Sequence, residues 1–408
     1  MAEWQTVRLG EIVKTNQSTY SPKENWQFVN YLDTGNITMN KIDEIQYINT
    51  AKDKLPSRAK RKVKTNSIIY STVRPNQLHY GIIKEQPDNF LVSTGFTVIE
   101  VNYDKAVPDF IYYALTKQEV TEQLQAIAEQ SVSAYPSLKP SDIENLEFML
   151  PDKKTQERIV AILRSIDEKI KENNAINNNL EQQAQALFKS WFVDFEPFGG
   201  VQPSEMQFIP LQELCKVVTK GTTPTTLGKS FTSSGINFIK AESILNNHSI
   251  DSSKFAFIDE ETNALLKRSV IKANDIIFTI AGTLGRFAMV DNSVLPANTN
   301  QAVAIIRPDE TKVTPAYLYS FFIGNWHNEY YSKRIQQAVQ ANLSLTTIKS
   351  LPIAVLNNTT MSNYDKLVSP LFVLMKNNEE ENRRLSKLRD ALLPKLMSGE
   401  LDVSNIEL

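Results

Sequence analysis

Along most of this chain the apolar residues come in short runs, many alternating with polar ones, rich in Ile, Val, Phe, Tyr and Thr and bounded by Asn, Asp, Gly or Pro. A period of two buries one face of a strand, so these runs predict β-sheet. PDFIYYALTKQEVTEQLQAIAEQ, entered at Pro108, predicts a helix instead. From Lys154 the period changes. Ile159, Leu163, Ile166, Ile170, Asn173, Asn177, Leu180, Ala184 and Leu187 alternate spacings of four and three, which is a coiled-coil seam. A second seam runs through Leu367, Leu371, Leu374, Asn378, Glu381, Leu385, Leu388 and Leu392.

The strand runs recur in order. WQTVRLGEIV is echoed by MQFIPLQELC from Met206, and WQFVNYLDTGNI from Trp26 by INFIKAESI from Ile236. NSIIYSTVRPNQLHYGI from Asn66 matches NDIIFTIAGTLGRFAMV from Asn274, with Lys64 opposite Lys272 at the same offset of 208. STGFTVIEV pairs with TNQAVAIIRP, PDFIYYAL with PAYLYSFF, and LKPSDIENLEF with LSLTTIKSLPI. Six blocks in one order make an internal duplication. Two mixed α/β globules of roughly 150 residues follow, each trailed by a long helix.

Each helix carries a polar pair near its middle, Asn173 and Asn177 in one, Asn378 and Glu381 in the other. Antiparallel packing brings the pairs into one layer that fixes the register, since any other alignment sets them against Leu or Ile. The plainer reading puts them on a solvent face. From Ile159 to Leu187 the seam spans roughly 42 Å at about 1.5 Å per residue. Globules held that far apart suit DNA half-sites about one helical turn apart or slightly more.

Composition narrows the class. The chain has 408 residues, 41% hydrophobic and 22% charged, and no apolar run approaches a bilayer-spanning length. MAEWQTVRLGEIV shows no secretory signal pattern, and Cys215 is the only cysteine, so neither an intramolecular disulfide nor a thiolate zinc cage forms. A reducing cytoplasm is expected, with no membrane contact. The net charge of −2 argues against a chain coated in nucleic acid, yet KDKLPSRAKRKVK from Lys52 to Lys64 carries seven basic residues and one acid.

No chemistry of its own is expected. His79, His248 and His327 have no metal-ligand spacing, and the chain lacks both an Asn/Asp-Pro-Pro-aromatic run and a glycine-rich cofactor loop. Gly221, Gly228, Lys229 and Ser230 imitate a phosphate-binding loop, but six residues separate the glycines and one is Pro224, without an N–H. Asp167, Glu168 and Lys169 imitate a nuclease carboxylate cluster but flank the seam, where an exposed helix face is expected.

LSKLRDALLPKLMSGELDV at the C-terminus, LEQQAQALFKSWFVDFEP in the centre, ANLSLTTIKSLPI and GTTPTT together resemble the specificity subunit of type I restriction-modification enzymes, over essentially the whole chain. The resemblance implies an α/β (α+β) fold of two tandem, pseudo-symmetric target recognition domains, 1–151 and 197–357. Each is followed by a spacer helix, 152–196 and 358–408, and the helices pair as an antiparallel coiled coil. It also implies a non-catalytic DNA-reading subunit in which each domain reads one half of a split, asymmetric site. Two modification (methyltransferase) subunits dock on the helices and methylate adenine, and restriction (motor-nuclease) subunits join for cleavage. S-adenosylmethionine, ATP and Mg belong to those partners; none is expected on this chain. The competing class is a tandem scaffold, or a protein- or glycan-binding module, with a coiled-coil spacer.

Base reading needs donors and acceptors on loops, while Lys and Arg on phosphates add sequence-independent affinity. The loop after the repeated strand offers Arg74, Asn76, Gln77 and His79 in the first globule, and Thr283 and Arg286 in the second. Ser93 and Thr94 correspond roughly to Asn298, Asn300 and Gln301. Phosphate candidates are Arg58, Lys60, Arg61, Lys62 and Lys64, then Lys267, Arg268 and Lys272, against the alternative of a solvated loop. Trp191 and Phe192, in WFVDF, either close the junction with the second globule or anchor a partner. Arg383, Arg384, Lys387 and Arg389 face DNA, that partner or solvent.

Overall fold

The computed structural model describes residues 4–131, 136–326, 330 and 342–406. His327 lies outside the described residues. The chain forms two compact units, Met1–Lys171 with Asn382–Leu408, and Glu172–Glu381.

In unit 1, Val13–Thr15, Phe96–Val101, Ile68–Ser71 and Tyr80–Ile82 form an antiparallel sheet in that order. A second sheet runs Gln46–Asn49, Phe28–Leu32, Phe90–Ser93, Ala59–Lys62, its middle pair parallel. Unit 2 repeats the first sheet, as Cys215–Lys220, Val303–Pro308, Ile276–Thr279, Phe287–Met289, and three strands of the second, as Ala256–Ile258, Ile236–Ile239, Ala297–Thr299. The apolar alternation is spent on these strands. Ile68, Ile69, Ile276 and Ile277 are fully buried.

The duplication extends to single hydrogen bonds. Asn66 and Asn274 both take positive φ, near 68° and 65°, and their N–H groups donate to Ile83 O and Val290 O. Asn tolerates that left-handed turn because its short side chain can hydrogen-bond locally. The next residue caps the turn in each copy: Ser67 Oγ accepts from Lys64 N at 3.0 Å, Asp275 Oδ2 from Lys272 N at 2.7 Å. The charges then differ. Asp275 is paired twice with Arg307, Nε and Nη2 each at 2.7 Å. The matched position in unit 1 is Glu100, which pairs with Lys64.

Gly221 shows why the imitation phosphate loop is a packing feature. Its N–H donates to Asn300 O, and an added Cβ would lie 1.8 Å from Thr299 O. Gly221→Ala is therefore expected to force the backbones apart at about 1–3 kcal/mol or more. Faster hydrogen exchange at Gly221 and along Val303–Pro308, with unit 1 unchanged, is the expected readout; unchanged exchange at those amides would contradict the close approach.

The long helices run Lys153–Phe192 and Asn358–Met397, and each contributes to both units. The first is entered at Asp152, whose carboxylate accepts from Thr155 N and Oγ1 and is held below the ordinary carboxylate range by those bonds. Asn357 does the same for the second through Thr360 N. Pairing is antiparallel. In unit 2, Asn173 Nδ2 donates to Glu381 Oε2 at 2.7 Å, while Asn378 Nδ2 donates to Asn177 Oδ1 at 2.8 Å. Asn177 Nδ2 also reaches Met375 O. In unit 1, Arg389 Nη1 donates to Asp167 Oδ1, which joins its other oxygen to Tyr113. Burial, then the Asp167 charge, pushes the Tyr113 hydroxyl far up.

The first helix buries the seam read from sequence: Ile159, Leu163, Ile166, Asn173, Asn177, Leu180 and Ala184. The second does not. Leu367, Leu374 and Leu388 are about half exposed, and Tyr364, Val368 and Phe372 are buried in their place. Tyr364 and Phe372 pack edge-on against Tyr317 and Tyr319 of unit 2. Ring burial against the globule sets the helix's rotation, overriding the leucine spacing. Among the described residues, no helix is long and apolar enough to cross a membrane.

Candidate nucleic-acid interface

The strand registers give the correspondence between units. Phe96 faces Ser71 as Val303 faces Thr279, and Phe90 faces Asn30 as Ala297 faces Asn237, so the strands of Phe96 and Phe90 match those of Val303 and Ala297 at a step of 207. Ser93 therefore matches Asn300, Thr94 matches Gln301, and Asn298 matches Leu91. Loops gather where the parallel strands end. In unit 1, Thr72 donates to Gly95 O through both N–H and hydroxyl, and Thr94 N–H donates to Arg58 O at 2.8 Å. In unit 2, Ile280 N–H donates to Ala302 O, Thr223 Oγ1 bonds Gln301 Oε1, and Arg268 Nη2 donates to Thr222 Oγ1 at 3.3 Å.

Two candidate readers are corrected. Ser93 and Asn298 are fully buried. Asn298 spends its amide on Asn263 Oδ1 and Leu266 O, because it occupies a core strand position. Ser93 Oγ accepts from Gly95 N, and Asn300 Oδ1 accepts from Ala302 N in the matched turn. The Ser93 hydroxyl and the Asn300 carbonyl oxygen thus cap the same turn in the two units.

Arg74, Asn76, Gln77 and Gln301 are exposed, and Thr94 is half-buried. Arg74 holds positive φ, 50°, and its N–H donates to Pro136 O. His79 Nδ1 lies 2.6 Å from Ile37 O and so donates to it. Thr283 Oγ1 donates to Ala241 O, and Arg286 Nη1 donates to Ile244 O at 3.2 Å. Asn246, Thr283, Arg286 and Asn325 line a cleft of about 510 Å³.

Sequence inspection missed Asp33, where Phe28–Leu32 ends. Burial would raise its carboxyl, but hydrogen bonds from Thr34 N–H and the hydroxyls of Tyr31 and Ser93, with the charge of Arg58, hold it below the ordinary range. Burial pushes the Tyr31 hydroxyl up to about 12, so Tyr31 stays a donor to Asp33. The matched position in unit 2 is Lys240, paired with Glu242. The signal was a polar residue ending an apolar run, too common to single out.

Part of the basic run is a strand, not a loop: Ala59–Lys62 pairs antiparallel with Phe90–Ser93 and is bonded on its other side to residues 18–20. Arg58 and Lys60 are exposed and Arg61 half-buried. Lys62 pairs with Glu24 and lies 5.1 Å over the Trp26 ring, and Lys64 pairs with Glu100. Lys267, Arg268 and Lys272 are exposed in unit 2.

Phe192 is buried among Phe188, Tyr317 and Tyr364, and half-buried Trp191 packs on Phe198 and Tyr364. Both close the helix onto its own unit, which removes Phe192 as a partner anchor. Arg389 is engaged with Asp167 and Asp390, whereas Arg384 and Lys387 are exposed and Arg383 half-buried. Burial pushes the Cys215 thiol up to about 12, which disfavours its thiolate form. Among the described residues, no three His, Cys, Asp or Glu side chains gather as a metal site.

A family model described as the type I restriction modification DNA specificity domain matches residues 1–182 and 203–355. The chain is similar to the type I restriction enzyme HindI specificity subunit of Haemophilus influenzae, 28% identical over 98% of this chain and all of that protein. It is 27% identical to the MjaIX specificity subunit of Methanocaldococcus jannaschii, over 80% of this chain and 76% of that one. The crystal structure of a type I restriction-modification S subunit from M. genitalium shares the fold, with a TM-score of 0.56 at 16% identity, covering 99% and 97% of the two chains. The two matched stretches fall on the two halves of the duplication and exceed half of the chain, which therefore belongs to the type I restriction-modification DNA specificity family.

Proposed function

We propose that this chain is the non-catalytic, sequence-reading subunit of a type I restriction-modification enzyme. Each unit reads one half of a split, asymmetric site on double-stranded DNA. The helix pair sets the spacing, with the Asn173, Asn177, Asn378 and Glu381 layer holding its register. Adenine methylation, with S-adenosylmethionine, is the work of two modification subunits, and ATP- and Mg-dependent cleavage that of restriction subunits, in the cytoplasm. One observation carries the reading: the units share strand order and register and the same capped turn before the repeated strand, while the loops at the strand ends carry different side chains. Equal frames with unequal loops suit two unlike half-sites. Arg58 and Lys60 beside these loops add phosphate attraction, which salt weakens. A tandem scaffold for protein or glycan has no support from the family match.

The test uses the full chain co-expressed with its methyltransferase partners and genome-wide mapping of methylated adenines. Exchanging residues 1–151 for those of another family member should change one half of the motif and spare the other. A motif left intact in both halves would overturn the reading.

A further inference from the structure

We propose that the half-site is read mainly by a hairpin in each unit, Ile37–Ile42 in unit 1 and Ile244–Ile250 in unit 2, and that His79 and Arg286 are positioning residues that hold these hairpins. The inference rests on the DNA-reading function proposed above.

The hairpins occupy the same place twice, as a short strand pair in unit 1 and as a loop closed by one bridge in unit 2. At the base, Asp43 N–H donates to Asn36 O and Asp251 N–H to Ser243 O, at 2.9 and 2.8 Å. Ile37 pairs with Ile42, and Ile244 with Ile250. The register that matches Tyr80 with Phe287 also matches His79 with Arg286. Each donates to the carbonyl that opens its hairpin: His79 Nδ1 to Ile37 O, and Arg286 Nη1 to Ile244 O. An imidazole and a guanidinium thus do the same work at equivalent places. Both look like base readers in the sequence, because each is a polar loop residue.

The frames agree, but the tips do not. In unit 1 the tip is Thr38, Met39, Asn40 and Lys41, all exposed, a two-residue turn with Met39 and Asn40 at positive φ. Its turn is tied down by Met39 N–H to Leu78 O, Asn40 N–H to Tyr80 O, and Ile82 N–H to Asn40 Oδ1. In unit 2 the tip is one residue longer, Leu245 to Ser249, closed by Leu245 N–H to Ser249 O. It is pinned by the His248 ring, stacked 4.0 Å from that of Phe287. Asn246 and Asn247 stand exposed at its end.

A two-stranded ribbon fits the major groove, where each base pair shows a distinct pattern of donors and acceptors. Asn can bond adenine N6 and N7 together. The Asn246 and Asn247 tip therefore suits an adenine in one half-site, and Thr38 with Lys41 a different edge in the other. A held hairpin also loses little freedom on binding.

The experiment compares methylation motifs of complexes carrying full-length variants. Asn246→Ala with Asn247→Ala should relax one or more positions in a single half-site, raising methylation at the substituted sites roughly 5- to 150-fold relative to the cognate sites. Thr38→Ala with Lys41→Ala should relax the other half. Arg286→Ala should relax the same positions as the Asn pair, and Arg286→Lys, which keeps a donor for Ile244 O, should restore them. A merely structural arginine would instead lower methylation equally at all sites. Efficient methylation of an unchanged motif in both tip variants would overturn the hairpin inference. If exchanging residues 1–151 alters one half-site while the tip variants alter none, only the hairpins fail; if that exchange alters nothing, the DNA-reading function fails with them.

Discussion

Arg307→Ala is expected to destabilise unit 2 by about 3–5 kcal/mol, the usual cost of stripping one partner from a buried ion pair. Asp275 is fully buried, and its carboxylate accepts from Arg307 Nε and Nη2 and from Lys272 N. Removing the guanidinium leaves one donor for an ionised group that water cannot reach. Arg307 also gives Nη2 to Val270 O, so the turn before the repeated strand loses its second tie. Unit 1 names the rescue, since Ser67 caps the same turn without a charge. Adding Asp275→Ser to Arg307→Ala should recover most of the loss, because the hydroxyl keeps the Lys272 bond and no carboxylate remains to desolvate. Hydrogen exchange resolved along Ile276–Thr279 and Val303–Pro308 checks this, with unit 1 as internal control. A double variant as unstable as the single one would show that the arginine contributes packing rather than charge compensation.

Phe188→Ala should cost a similar amount, about 3–5 kcal/mol for an aromatic removed from a packed core. Phe188 is 2% exposed, and its ring lies 5.0 Å from Phe192, 5.9 Å from Phe321, 6.0 Å from Tyr317 and 6.4 Å from Tyr364. Those rings come from the first long helix, the helix Pro315–Ile323 and the second long helix, so one side chain ties three elements together. The loss should appear as faster exchange over residues 180–192 and a weakened near-ultraviolet signal. Ile176→Ala, on the same helix but 46% exposed, should change stability by less than about 0.5 kcal/mol. Equal effects of the two would mean that the helix end is not docked through this cluster.

These cases show where sequence inspection reached and where it stopped. The repeated block NSIIYS and NDIIFT was legible because core strands need apolar, β-branched residues at fixed spacing, and Asn before them supports a left-handed turn. The swap of Asp275 and Arg307 for Ser67 and Glu100 was not, since the partners stand 32 residues apart in one unit and are joined only by strand pairing. The first helical seam was readable, whereas the second was displaced by Tyr364 and Phe372. A heptad count registers leucines but not the rings waiting on a neighbouring helix.

The candidate site divides the same way. Exposed, polar loop chemistry marked Arg74, Asn76, Gln77 and Arg286 alike, although Arg286 is occupied with Ile244 O. Ser93 and Asn298 look from their loop positions like base readers, whereas the parallel strand register makes them a turn cap and a core position. The strand periodicity, the duplication and the first helix's seam through Asn173 and Asn177 follow from local order along the chain, because a repeating pattern records which face of an element is buried. Which loop residue holds a hairpin, and which is left to meet a base, was decided by tertiary structure. A hydrogen bond between loops some forty residues apart obeys distance in space, and nothing in the spacing of letters records it.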